Sequence, residues 1–362
     1  MRIAICLWLA VGCGCATAAA PDQGAQRVPR TIAQCHKIGD KIPRAECYDE
    51  ATGREAYLQA LDDERERAAL AAGDSKPIKP AGGILGELWG FDKRPEETKY
   101  GIKQYHPNYI IAYGTNPFNS KPMTSDTRVY ADQPSSDPKG LKFQLSAKAW
   151  LFGRDDNAFG VWLAYTQQSW WQVLDASNSR PFRETDFQPE AIVALRPELF
   201  GWINDGRDFQ WRLLNVGVVH QSNGQSGNAS RSWNRVYAEA GFERDWSADN
   251  QLALLARIWG RISEDPATDD NPGITSYLGY GDLRAIYRHG NYLLTAMARG
   301  NLRTGKGAAQ IALAFPLVRE AEARSFPFKG YVQLFTGYGE SLLDYNWRQT
   351  SIGIGFTLND WK

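Results

Sequence analysis

The amino-acid sequence predicts an all-β fold: a twelve-stranded antiparallel transmembrane β-barrel behind an N-terminal, partly helical periplasmic extension. Three observations carry that expectation. From about Tyr105 onward, segments of roughly ten residues with period-two alternation repeat an even number of times, as the walls of outer-membrane barrels require. The connections between them are alternately short and long. No mature segment reaches ~18 consecutive apolar residues, which excludes a helical span, while the first twenty residues read as an export signal. A large soluble β-sandwich gives the same signal strand by strand and stays open at this level.

Composition agrees with β-structure. The chain has 362 residues, enough for one large or two ordinary domains. It carries 13 Trp, 16 Tyr and 34 Gly against 3 Met, an aromatic- and glycine-rich mixture. Lys and Arg number 41 and so do Asp and Glu, so there is no electrostatic case for nucleic acid as a partner.

The N-terminal "MRIAICLWLAVGCGCATAAA", residues 1–20, has Arg2 as a positive start, an apolar segment from Ile3 to Val11, and Ala16, Ala18 and Ala20 as small cleavage-site residues. A lipid-modified Cys13 or Cys15 competes with that reading, although neither has a good apolar-small-small approach. Removal of the signal leaves two cysteines, Cys35 and Cys47. An even pair in an oxidising compartment points to one structural disulfide rather than two free thiols. Residues 21–100 differ in texture from the rest. "YDEATGREAYLQALDDERERAALAAG" is helix-prone and charged, "SKPIKPAGG" reads as a linker, and "ELWGFDKRPEET" is polar. The expected organisation is a signal at 1–20, an extension at 21–100 and a barrel at 101–362.

Twelve strand-like segments lie near 105–116, 141–150, 158–168, 189–197, 209–220, 233–245, 251–262, 275–288, 292–299, 307–316, 328–337 and 348–358. In "SIGIGFTL" the residues Ile352, Ile354, Phe356 and Leu358 share a face with small residues opposite, and Ile311, Leu313 and Phe315 do the same. "FGRDDN", "WSADN" and "RHGN" make short turns, whereas the connections at 117–140, 169–188, 221–232 and 263–274 are longer. Two further connections, near 198–208 and 317–327, exceed what the rule prefers for turns. If the first strand runs outward, the 169–188 and 221–232 loops emerge on the extracellular side.

Parity within the strands isolates one polar group. In "RLLNVGVVHQS" the residues Leu214, Val216 and Val218 share the lipid side, and His220 and Ser222 continue it. On the next strand Asn234 has the parity of Val236, Ala238 and Phe242, again outward. Adjacent strands would bring the three to ~5 Å or a little more. A polar group facing lipid is costly unless partnered. Here Ser222 can donate to one His220 nitrogen while the Asn234 carbonyl accepts from the other. That is the arrangement of nucleophile, base and orienter, placed where an ester in a phospholipid could reach it. The plain alternative is a polar loop with a chance histidine near the rim. The other histidines, His36, His106 and His289, have no Ser and Asn on their own faces, so they read as incidental.

Gln167 falls on the outward face of Phe159, Val161, Leu163 and Tyr165. A glutamine toward lipid wants a partner from another protein surface, which suggests dimerisation through this strand; a rim residue reaching headgroups is the alternative. Trp170 and Trp171 read as an interfacial aromatic girdle. Arg212, Arg235, Glu239 and Arg244 have interior parity and could form a paired interior that fills the barrel.

The stretches "YTQQSWWQ", "RPFRETDFQPE", "HQSNGQSGNASRSWNR", "TDDNPGITSYLGYGDLR" and "GYGESLLDYNWRQTSIGIGFTLND" resemble outer membrane phospholipase A, a calcium-dependent lipase family of Gram-negative bacteria. The resemblance spans roughly 105–362. It implies a twelve-stranded barrel in the outer membrane and phospholipase A1 and A2 activity on phospholipids and lysophospholipids. Ser222 would be the nucleophile, His220 the base and Asn234 the orienter. It further implies activity as a calcium-bound homodimer. By motif position, Ca2+ would be held by the Ser230 side chain and the Gln225 carbonyl of one subunit and the Ser179 carbonyl of the other. The ion and a backbone N–H near Ser222 would stabilise the oxyanion. The chain departs from the pattern in three places. Gln225 stands where arginine is expected, which a main-chain ligand tolerates. Gly227 stands where aspartate is common, which argues against a secondary calcium site in the monomer. Gln221 replaces an acidic residue, with little expected consequence. A non-enzymatic barrel and a soluble secreted esterase are the rivals, and the absence of a G-x-S-x-G elbow argues against the latter.

Overall fold

The computed structural model describes residues 35, 47, 51, 83–91, 101–122, 137–153, 158–175, 182–197, 209–247, 249–318 and 326–358. The chain divides into two units, residues 1–79 and 80–362. The candidate signal with Cys13 and Cys15, and nearly all of the helix-prone stretch, lie outside the described residues. In the first unit a disulfide joins Cys35 to Cys47, with Cα atoms 5.5 Å apart, and both cysteines are buried.

The second unit is a closed barrel. Its strands are β1 (Ile102–Gln104), β2 (Tyr109–Asn116), β3 (Lys139–Gly153), β4 (Phe159–Trp171), β5 (Phe182–Leu195), β6 (Gln210–Ser222) and β7 (Ser232–Ser247), then β8 (Asn250–Arg261), β9 (Gly281–His289), β10 (Tyr292–Asn301), β11 (Lys306–Pro316), β12 (Phe328–Tyr338) and β13 (Arg348–Leu358). β1 and β2 both pair with β3, through Lys103↔Lys148 and Ala112↔Leu141. They are two halves of one interrupted wall strand, so the barrel has twelve. All neighbours are antiparallel, and β13 closes on β2 through Ile354↔Ala112. At the interruption Pro107 has no N–H to give the ladder. Asn108 bridges the gap instead, donating to the Ser146 carbonyl at 3.2 Å and accepting from the Ser146 amide at 2.6 Å.

The two faces of the wall decide between barrel and sandwich. On β13, Ile352 and Ile354 are each 62% exposed, while Ser351 and Gly353 between them are buried. Apolar side chains point out and polar ones point in, the inverse of a soluble protein and the signature of a wall set in lipid. Inside, the Glu239 carboxylate is the hub. It accepts from Arg257 Nε at 2.9 Å, from Arg284 and from Asn215 Nδ2 at 2.9 Å. Lys142 pairs with Glu340 at 2.9 Å. Charges buried this deeply are tolerable only when paired and hydrogen-bonded. The lumen is therefore packed, leaving an internal cavity of about 300 Å³. Of the four residues expected inside, Glu239 makes ion pairs and Arg235 donates to Gln221 Oε1 at 3.0 Å, whereas Arg244 lies on the outward row of β7 with Phe242 and sits over the Trp246 ring.

The strands run between a turn end and a loop end. Helix α1 (Ile84–Trp89) fills the lumen at the turn end. Ile84, Leu85 and Trp89 are buried with Leu213, Trp162 and Leu255. Lys148 Nζ lies over the Trp89 ring, 3.3 Å from its centroid. Gly90 closes the helix at φ 65°, the left-handed cap that glycine favours. The sequence "ELWG", read as polar extension, thus belongs with the barrel, because a six-residue helix is too short for its apolar stripe to register as periodicity. At the loop end, α2 (Ile274–Leu278) occupies the start of the strand expected at 275–288, with Ile274 and Leu278 buried one turn apart.

The girdle expectation fails for Trp170. It is 3% exposed and its ring stacks on Lys142 Nζ inside the lumen, whereas Trp171 stacks on Phe182. Neighbouring residues of a strand face opposite sides, so the pair could not both face lipid.

Candidate active site

β6 and β7 carry the polar group to the loop end. Along β6, Val216 and Val218 are about half exposed and Asn215 and Val219 are buried, so His220 and Ser222 continue the outward row. β7 pairs His220 directly with Asn234, and Ser222 with Ser232. His220 Nδ1 and Asn234 Oδ1 are 2.8 Å apart. Ser222 lies two residues on, on the same face, and no hydrogen bond joins it to His220 in this structure.

The Asn234 amide has a defined orientation. Its Nδ2 donates to Glu264 Oε1 at 3.2 Å. An ionised carboxylate only accepts, so the nitrogen must face Glu264 and the oxygen must face His220. Nδ1 of His220 then carries the proton and Nε2 keeps its lone pair. Glu264 comes from the loop after β8 and was not among the expected site residues.

The loop between β6 and β7 is organised from inside by Asn223, which is 2% exposed. Its Oδ1 accepts from the amides of Gln225 at 3.2 Å and Arg231 at 3.0 Å, and its Nδ2 donates to the Ala229 carbonyl at 2.8 Å. Gly224 and Gly227 adopt φ of 63° and 61°, a conformation that L side chains rarely take. Asn223 Nδ2 also donates to Glu184 Oε1 at 3.2 Å, and the same oxygen accepts from the Leu343 amide at 2.6 Å. Glu184 follows Arg183, and both face inward because a β-bulge shifts the β4–β5 register there. Arg183 in turn holds Asp344 at 2.9 Å. A segment from the β12–β13 side thus crosses the barrel mouth and braces the loop. Gln221 has a role too: it accepts from Trp233 Nε1 at 2.9 Å on the inner face.

Of the candidate calcium ligands, Ser230 donates from Oγ to Asp270 Oδ2 at 2.5 Å. Gln225 is exposed on the loop, and Ser179 lies outside the described residues. Among the described residues no three His, Cys, Asp or Glu side chains converge as a metal cage. The oxygens available are a hydroxyl and carbonyls, hard ligands of the kind calcium takes. Glu264, Asp270, Asn223 and Glu184 are the site residues that parity did not reveal. The acidic run "EDPATDDN" was the available signal for the first two.

Gln167 sits on the outer face of β4 opposite Leu145, among the exposed Leu163 and Tyr165. It accepts from Tyr165 Oη at 3.1 Å and donates to Ser169 Oγ at 3.3 Å. His36 lies outside the described residues, and His106 lines the lumen cavity. His289 Nδ1 is 2.7 Å from Asn250 Oδ1, on the outer face at the turn end.

A closed twelve-stranded barrel with an apolar outer face and a packed lumen defines the class, an outer-membrane-type β-barrel, and this one carries a His–Asn pair on its lipid face. Residues 85–358 match the family model of phospholipase A1. The chain is 33% identical to a putative phospholipase A1 of Neisseria meningitidis, over 91% of either chain. Among solved structures it resembles a calcium-bound dimer of the Salmonella typhi outer membrane phospholipase, with TM-score 0.62 and 32% identity, covering 78% of this chain and 99% of that one. It also resembles an active-site variant of Escherichia coli outer membrane phospholipase A, in which alanine replaces an asparagine. There the TM-score is 0.61 and the identity 31%, over 78% and 99% of the two chains. The chain belongs to the phospholipase A1 family, and it is an outer-membrane phospholipase.

Proposed function

We propose that the chain hydrolyses acyl esters of phospholipids and lysophospholipids, as phospholipase A1 and A2, with Ser222 as nucleophile, His220 as general base and Asn234 as orienter. The observation that supports this most is the 2.8 Å contact between His220 Nδ1 and Asn234 Oδ1 on the lipid face, two residue pairs along the ladder from Ser222. Ser222 Oγ attacks the ester carbonyl while its proton passes to His220 Nε2. The same proton then goes to the departing lysolipid alkoxide, leaving an acyl-Ser222. Water, deprotonated by His220, releases the fatty acid and restores the serine. Asn234 holds the ring in the tautomer that leaves Nε2 free, without adding a negative charge of its own beside lipid.

Ser230 Oγ and the Gln225 carbonyl, with the carbonyl of Ser179 of the partner subunit, would hold the calcium ion. When bound, it supplies positive charge beside the developing oxyanion. The bracing of the loop by Asn223 holds both ligand positions still. Calcium and a homodimer with Gln167 in its interface are in keeping with the calcium-bound dimer of the Salmonella relative. In this reading the site faces the outer leaflet, residues 1–20 are removed on export, and the extension lies in the periplasm. Fatty-acid release from detergent–phospholipid micelles tests the assignment. Release that a chelator leaves unchanged removes the ion. Conductance in planar bilayers without ester loss would instead favour a narrow pore.

A further inference from the structure

The Asn234 side chain is a symmetric-looking amide, and nothing in its own chemistry says which end faces His220. Turned one way, its oxygen accepts the Nδ1 proton and leaves Nε2 basic. Turned the other way, its nitrogen donates to Nδ1, the proton moves to Nε2, and His220 can no longer accept from Ser222. The choice is made by whatever lies behind the amide. Here that group is Glu264, whose Oε1 takes the Asn234 Nδ2 proton at 3.2 Å. Glu264 is itself held. It lies 3.5 Å from Arg261 Nη2, whose guanidinium also pairs with Asp269 at 2.7 Å. The side chain is only 19% exposed, so water competes poorly for the same amide proton. Arg261 is positioned from the other side by the carbonyl of Asn271, at 3.1 Å from Nη1. The loop after β8 therefore delivers one carboxylate to the back of the triad and fixes it with one guanidinium.

We propose that Glu264 is a positioning residue that sets the orientation of the Asn234 amide and, through it, the tautomer of His220. The inference rests on the Ser222–His220–Asn234 reading. It extends the triad to a chain of four groups in which the terminal carboxylate touches neither substrate nor histidine. The partly buried carboxylate is kept one residue away from the lipid ester and the imidazole.

The test is a set of Glu264 variants assayed on phospholipid micelles at saturating calcium, each also made in an Asn234→Ala background. Glu264→Gln keeps a carbonyl that can accept, and should retain kcat within about threefold, less than one neutral hydrogen bond is worth. Glu264→Met removes the acceptor, frees the amide to turn, and should lower kcat by about tenfold. Glu264→Lys presents only donors, draws the Asn234 oxygen toward itself, and should lower kcat by about a hundredfold. KM and the calcium concentration for half-maximal rate should stay within about twofold in all three, because the tautomer governs proton transfer rather than lipid binding. In the Asn234→Ala background the Lys and Met effects should vanish. Equal losses with and without Asn234 would overturn the proposal, as would full activity in both Glu264→Met and Glu264→Lys. If Glu264→Lys does not assemble, as judged by the heat-induced gel shift of barrels, Glu264→Met decides alone. Full activity of Asn234→Ala itself would instead bring down the triad reading on which the inference stands.

Discussion

The barrel carries two His–Asn pairs on its lipid face, one at either end. At the loop end His220 meets Asn234 at 2.8 Å; at the turn end His289 meets Asn250 at 2.7 Å. Each pair is a directly opposed couple on adjacent strands. Each asparagine is contacted from behind, Asn234 by the acceptor-only carboxylate of Glu264 and Asn250 by Ser247 Oγ at 3.4 Å, a hydroxyl that can take either end of the amide. The two pairs make the same contact between Nδ1 and Oδ1. The difference lies in what surrounds the free nitrogen. Beyond His220 the strand continues to Ser222 and then to a glycine-bearing loop pinned by Asn223. Beyond His289 the strand ends, and the chain turns at Gly290. A histidine and its orienter recur wherever outward polar residues satisfy one another. A site also needs a hydroxyl in the same row and a fixed loop beside it.

The largest effects should come from breaking the loop-end row. Ser222→Ala or His220→Ala should lower kcat about a thousandfold with little change in barrel stability, since both side chains leave the outer face without opening the core. Measured fatty-acid release from micelles checks this; Ser222→Ala working as fast as the parent would sink the assignment. Asn234→Ala should cost about tenfold to a hundredfold, a part of the general-base contribution, because the ring loses its orienter but keeps its lone pair some of the time. A loss as large as that of His220→Ala would mean that Asn234 does more than orient.

Gln167 offers a smaller effect at a distance from the chemistry. Interhelical hydrogen bonds in membranes are worth about 0.6 kcal/mol, and a two-fold interface would count such a contact twice. Gln167→Ala should therefore weaken the dimer by roughly tenfold, read by sedimentation in detergent with calcium present. Unchanged dimer affinity would remove the residue from the interface and leave it as a rim glutamine capped by Tyr165 and Ser169.

The fold was legible because the barrel repeats one simple rule. Ile352 and Ile354 out, Ser351 and Gly353 in, is written in the sequence at period two and needs no knowledge of distant residues. His220, Ser222 and Asn234 were legible for the same reason. What strand parity could not show arrives from elsewhere in the chain. Glu264 reaches Asn234 from thirty residues away, and Leu343 reaches Glu184 across the mouth. The inward pair Arg183 and Glu184 exists only because of a bulge, which interrupts the alternation that parity relies on. Helix α1 escaped for want of length. The His289–Asn250 pair did not stand out in the sequence because no serine continues the outward row of β9.

The smallest effect is expected at that second pair. His289→Ala and Asn250→Ala should each leave hydrolysis within about twofold of the parent, the range of ordinary surface substitutions. The reason is specific to the geometry. Ser247, the hydroxyl at that end, lies behind Asn250 and accepts from both its amide N, at 3.1 Å, and its side chain. It is therefore in the place that Glu264 takes at the loop end, and not in the place of Ser222. Tyr287 Oη also donates to Asn250 Oδ1, at 3.2 Å, so the asparagine oxygen is shared rather than reserved for the ring. If His289→Ala instead lowers lipid hydrolysis tenfold while Ser222→Ala does not, the two ends have been assigned the wrong way round, and the nucleophile should be sought beside the turn.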